Sequence, residues 1–219
     1  MNEDATTFST ERLKTLTDGV IAIVITLLVL ELTVPVVAEI PTSEGLWPEL
    51  RHLWREILGY TVSFFVVGLL WLYHHNVFRY VQRANGTLLT LNVFFLFAVS
   101  ITPFSSALVT ANPDERLAAI IYGSSIFLAG ASNAAMFAYG SWRRRLVDRN
   151  LDGEFIRREN RSALVILIVL GVGAALGYVG ASYTYAVLGL AITYYWVMTA
   201  LNREGVSAAR RRDRHIAHD

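Results

Sequence analysis

The chain has no cysteine, so it can build neither a disulfide framework nor a thiolate site. Charge is scarce as well: 17% of its 219 residues are charged, against about 25% in soluble domains. The missing charges leave long uncharged runs, and 54% of the residues are hydrophobic. Lipid rather than water is the solvent that such a pattern fits. There is no phosphate-cradling loop, no nucleophile elbow, no pair of catalytic carboxylates and no zinc motif, so enzymatic chemistry is not expected. At about 20 residues per membrane span, the length leaves no room for a separate soluble catalytic domain.

Six apolar stretches are present: Asp18–Pro35, Ile57–Tyr73, Leu88–Val109, Leu117–Tyr139, Ala163–Gly180 and Tyr183–Leu201. From Ser162 to Asn202 no Asp, Glu, Lys or Arg occurs, about twice the length one crossing needs. That run is read as two helices joined by a turn near Gly180, Ala181 and Ser182. Unpaired backbone groups are too costly in lipid, so each span should be helical. Pro103 interrupts the third and is expected to kink it, with Thr102, Ser105 and Ser106 available to the freed backbone groups. The predicted class is all-α: a polytopic membrane protein of six helices over residues 1–202, followed by a basic tail at 203–219. The N-terminus carries Glu3, Asp4, Glu11 and Asp18 rather than a basic region, so a cleaved signal peptide is not expected.

Orientation follows from the basic residues. Sixteen of the nineteen lie before the first span, after the second, between the fourth and fifth, or after the sixth. Only Arg51, Arg55 and Arg116 lie on the other side, beside Glu39, Glu44, Glu49, Asp114 and Glu115. This split places both termini in the cytoplasm of a multi-pass cell-membrane protein. Trp47, Trp54, Trp71, Tyr139, Trp142, Tyr183 and Trp196 sit near span ends, where interfacial aromatics belong. The Arg-rich loop and tail are better read as topology signals that meet anionic head groups than as a nucleic-acid surface.

The first span is unusual. Its uncharged stretch, Gly19 to Leu30, is about a dozen residues long and closed by Asp18 and Glu31. Runs of that length belong to helices shielded by protein, and ionisable residues at membrane depth face a bundle interior or a water-filled path. Ile23, Leu27 and Leu30 fall on one helical face with Thr26 beside them. Periodicity alone favours a packing seam there; the alternative is a constriction that closes by dewetting. Asp18 suits a cap or a structural network near the helix start. The adjacent His74 and His75 point to different faces and cannot chelate one metal as an i, i+4 pair could. Gly173 and Gly177 form a small-residue pair that permits close helix contact, a motif common by chance.

Three segments carry a resemblance. The first runs from Arg12 through Leu16-Thr17-Asp18 to Glu31. The second is Trp71-Leu-Tyr-His74-His75-Asn76-Val-Phe78. The third is Leu91-Asn92-Val-Phe-Phe-Leu96, leading to Thr102-Pro103-Phe104. Together they resemble the bacterial relatives of the lysosomal transmembrane-protein-175 potassium channels. Where that family has Phe-Ser-Asp, this chain has Leu16-Thr17-Asp18, keeping the hydroxyl and carboxylate but losing the ring.

The resemblance implies a homotetramer whose first helices line a pore for potassium ions. Carried over, Ile23, Leu27 and Leu30 match the apolar constriction and Thr26 a polar pore layer. Arg12, Thr17, Asp18, Trp71, His74 and His75 match a polar network behind the pore helix. No Thr-Val-Gly-Tyr-Gly filter occurs, so selectivity would rest on pore width and the Thr26 layer. The competing reading is a proton-coupled secondary transporter using Asp18 and His74; no inverted repeat supports it.

Overall fold

Among the described residues, five helical segments are long and apolar enough to cross a bilayer: 11–31, 54–80, 86–111, 116–144 and 153–176. The computed structural model describes residues 8–35, 46–148 and 150–194. The helices are α1 (Glu11–Leu28, continued by a 3₁₀ turn over Val29–Glu31), α2 (Trp47–His52), α3 (Trp54–Tyr80), α4 (Gly86–Ser100), α5 (Thr102–Ala111), α6 (Arg116–Ser141) and α7 (Gly153–Leu176). A further helix, α8, begins after Gly180 and is described over 181–194. It occupies the start of the sixth expected span. The remainder of that span, Trp196 and the tail at 203–219 lie outside the described residues.

Helix boundaries differ from the hydropathy reading in one systematic way. The first helix starts seven residues before Asp18 and the fifth ten residues before Ala163. Both extensions are polar and basic, so a hydropathy window ignores them. They are nevertheless helical because part of each turn packs inward, as Leu13 and Thr17 do in α1. Pro103 divides the third span as expected: α4 stops at Ser100 and α5 starts at Thr102. Ser105 donates to the Thr102 carbonyl at 3.1 Å, whereas Ser106 turns away to Ser63.

The elements meet at one basic end. A short strand β1 (Phe8–Ser9) pairs antiparallel with β2 (Arg83–Ala84), in the turn between α3 and α4. Val81 bridges Val147 in the α6–α7 connection, and Leu146 O accepts from Gln82 N at 3.0 Å. Arg143 and Arg144 reverse the chain there with positive φ of 51° and 56°. The start of α1, end of α3, start of α4, end of α6 and start of α7 therefore share one side. Arg12, Lys14, Arg79, Arg83, Arg143, Arg144 and Arg145 gather on it, while Arg55 and Arg116 lie at the opposite ends of α3 and α6, and Arg51 lies in α2, just before α3.

Of the five spans α6 is the most enclosed and α7 the least. Small residues let these two approach: a Cβ on Gly123 would stand 2.6 Å from Ala174 Cα, and one on Gly177 3.0 Å from the Ala119 carbonyl carbon. Gly177 therefore serves the α6 contact, while Gly173 faces Val187 of α8. A buried hydroxyl cluster joins α3, α5 and α6. Ser63 Oγ lies 2.7 Å from Ser106 Oγ and 2.8 Å from Tyr122 OH, and Ser105 Oγ lies 3.1 Å from Ser125 Oγ. Such bonds fix helix register where no water competes.

Candidate pore helix and its polar support

α1 has two unlike faces. Leu13, Thr17, Ile21, Val24 and Leu28 recur at helical spacing and are buried against the rest of the chain. Their neighbours are α3, α4 and α5. On the other face Ile23 is 59% exposed, Leu27 42% and Leu30 75%. Within one chain α1 is thus covered on one side only.

Thr26 lies on the uncovered face. Its hydroxyl donates backwards, at 2.8 Å to the Ile23 carbonyl and 3.1 Å to that of Ala22. A hydroxyl has one hydrogen and two lone pairs. With its hydrogen committed to the helix, Thr26 turns acceptor capacity outward, the chemistry that a cation requires.

The polar residues behind α1 form two separate links. Trp71 Nε1 donates to Asp18 Oδ1 at 2.8 Å, joining α3 to α1. The deeper link runs through Asn92 of α4. Its Nδ2 donates to Thr17 Oγ1 at 3.0 Å, and its Oδ1 lies 3.0 Å from His74 Nε2. A carbonyl oxygen only accepts, so His74 carries hydrogen on Nε2. The His74 ring stacks on Phe95 at 5.0 Å and meets Phe78 at 4.6 Å, so its orientation is fixed from both sides. Thr17, His74 and Asn92 are all buried.

His75 turns outward, its ring 5.9 Å from that of Trp71. Arg12 is exposed and stays apart from both links. Asp18 and His74 share no hydrogen bond. Asn92, the centre of the deeper link, was quoted in a motif but not singled out as a site; an amide in an otherwise apolar stretch of α4 was the signal. Among the described residues no cluster of three or more His, Asp or Glu could hold a metal.

The profile described as Endosomal/lysosomal potassium channel TMEM175 matches residues 12–103. These residues contain α1, α3, α4 and both polar links. A potassium channel of Streptomyces collinus is 31% identical over 188 residues, covering 84% of this chain and 90% of that one. The chain belongs to the TMEM175 family. A TMEM175 homologue from Chamaesiphon minutus, described as a lysosomal potassium-selective channel homologue, superposes with a TM-score of 0.74 at 25% identity. The match covers 86% of this chain and 97% of that structure. A bovine relative bears the name endosomal/lysosomal proton channel TMEM175. It is 31% identical over 162 residues, 70% of this chain but 32% of its own length. This TMEM175 chain is therefore a transmembrane ion-channel protein and not an enzyme.

Proposed function

We propose that this TMEM175 chain forms a potassium-favouring cation channel from four copies, with α1 of each subunit lining a central pore. The observation that carries this reading is the division of α1 into two faces. Every side-chain link to another helix from its inner half, through Thr17 and Asp18, leads to α3 or α4. The uncovered face presents Ile23, Leu27 and Leu30, with the acceptor side of Thr26 between them. A closed ring of identical subunits gives such a face a common axis. Ile23 then forms an apolar constriction that closes by dewetting, and Thr26 the polar layer beside it. Both termini face the cytoplasm of the cell membrane, where the gathered arginines satisfy the positive-inside rule.

Purified protein in a planar bilayer, with K⁺ on one side and Na⁺ on the other, tests the selectivity. A current reversing well away from zero in the direction that favours K⁺ supports the reading. Ile23→Asn should raise the conductance by wetting the constriction, and unchanged flux from correctly assembled protein would remove the gate assignment.

A further inference from the structure

At the start of α7, Asp152, Glu154, Phe155, Arg157, Arg158 and Arg161 line an open cavity of about 550 Å³. Three of these are arginines set within about one helical turn, and their placement is ordered. Arg158 lies over the Phe155 ring at 5.5 Å, and that ring packs on Tyr80 of α3 at 4.8 Å. Its guanidinium is thus braced before any ligand arrives. Of the two acids, Asp152 already accepts from Glu154 N at 3.1 Å as the helix cap. With three arginines against two carboxylates, the lining keeps one positive charge in excess and forked donors suited to a phosphate.

What adjoins the cavity decides between a soluble and a membrane-borne anion. Leu164, Ile168 and Val172 follow Arg161 at i+3, i+7 and i+11, and all three are exposed on the least enclosed span. Cationic head-binding groups pass directly into an apolar rail. A free phosphate would use only the first half of this surface, and a zwitterionic head group would bring a cation against the arginines.

We propose that this cavity is a site for an anionic phospholipid, its phosphodiester held by Arg157, Arg158 and Arg161 and its acyl chains along Leu164, Ile168 and Val172. The site stands on the transmembrane fold alone and is read out by lipid binding, so it does not depend on the conduction reading.

The test is native mass spectrometry of the assembled protein with phosphatidylglycerol or phosphatidylcholine added to the detergent. Wild type should retain phosphatidylglycerol preferentially. Arg157→Gln/Arg158→Gln/Arg161→Gln should lose that preference by at least about tenfold, each basic residue at a lipid surface being worth about fivefold. Arg51→Gln/Arg55→Gln/Arg116→Gln removes equal charge at the other end and should keep it. If the triple α7 variant does not assemble, Arg158→Gln alone should show about a fivefold loss. Absence of preference in wild type, or equal loss in both triple variants, overturns the proposal. So does full displacement of the lipid by equimolar inorganic phosphate.

Discussion

His74 Nε2 lies 3.0 Å from Asn92 Oδ1, and the same amide gives its Nδ2 hydrogen to Thr17, so one asparagine joins three helices. In Asn92→Leu both partners stay buried and lose their bond. An interhelical hydrogen bond in lipid averages about 0.6 kcal/mol, but an orphaned buried group costs about 1–3 kcal/mol. The second effect wins here because Thr17 and His74 have no water to turn to. The variant is expected to unfold at a lower temperature in detergent, by the equivalent of about 1–3 kcal/mol. An unchanged melting temperature would show that the link does not hold α1 in place.

Asp18 and Trp71 make the second link, and its partners can be tested separately. Asp18→Asn keeps an acceptor for Trp71 Nε1 but loses the charge assistance that strengthens the bond about twofold. Trp71→Phe removes the donor altogether. Both variants should reduce the yield of assembled protein on size exclusion, Trp71→Phe more. Their K⁺/Na⁺ reversal potentials should stay near wild type. A well-assembled Asp18→Asn protein with altered ion preference would place the carboxylate in contact with permeating ions instead.

For Thr26 the prediction concerns acceptor capacity. Thr26→Ser retains the back-bond to the Ile23 carbonyl and the outward lone pairs, and should leave the bi-ionic reversal potential near wild type. Thr26→Val has similar shape and no lone pairs, so its reversal potential should move toward zero. Equal potentials in the two variants would exclude the Thr26 layer from selectivity.

Gly123→Ala should damage the α6–α7 crossing. The new Cβ would sit 2.6 Å from Ala174 Cα, a backbone atom that cannot swing aside. The two helices must separate, and the overpacking cost is about 1–3 kcal/mol. Thermal unfolding in detergent reads it directly. As a contrast, Gly68→Ala introduces a Cβ with no neighbour within 4 Å and should be tolerated.

Much of this architecture was legible in the sequence, for physical reasons that also mark where legibility stopped. Uncharged runs located the five spans found among the described residues and Pro103 located the α4–α5 break, because lipid and proline act on every chain alike. Helix starts were missed by up to ten residues where α7 begins in arginines and glutamates. The charge split anticipated which connections share an end, and the contacts of Val81 with Val147 and of β1 with β2 join those connections.

The sites divide in the same way. The stripe of Ile23, Leu27 and Leu30 was visible as a periodicity, but only burial of the opposite face shows which stripe the subunit leaves open. The cluster of Ser63, Ser106 and Tyr122 gave no signal, since serines are ordinary in membrane helices and their pairing is a property of three-dimensional packing.

The strand pair that precedes α1 has a mechanical consequence when set beside the other end of the same helix. Phe8 and Ser9 are fastened to the α3–α4 turn, and beyond the 3₁₀ turn Thr33 N donates to Glu56 of α3 at 3.1 Å. A rod pinned at both ends cannot slide without releasing a pin, and what opposes its turning is the pair of bonds on its flank, Thr17 to Asn92 and Asp18 to Trp71. Successive residues stand about 100° apart around that length, so Ile23 and Thr26 are separated by only about 60°. Even so small a twist has to part Thr17 from Asn92 and Asp18 from Trp71, so these two flank bonds, rather than the end fastenings, set which side of the rod looks outward.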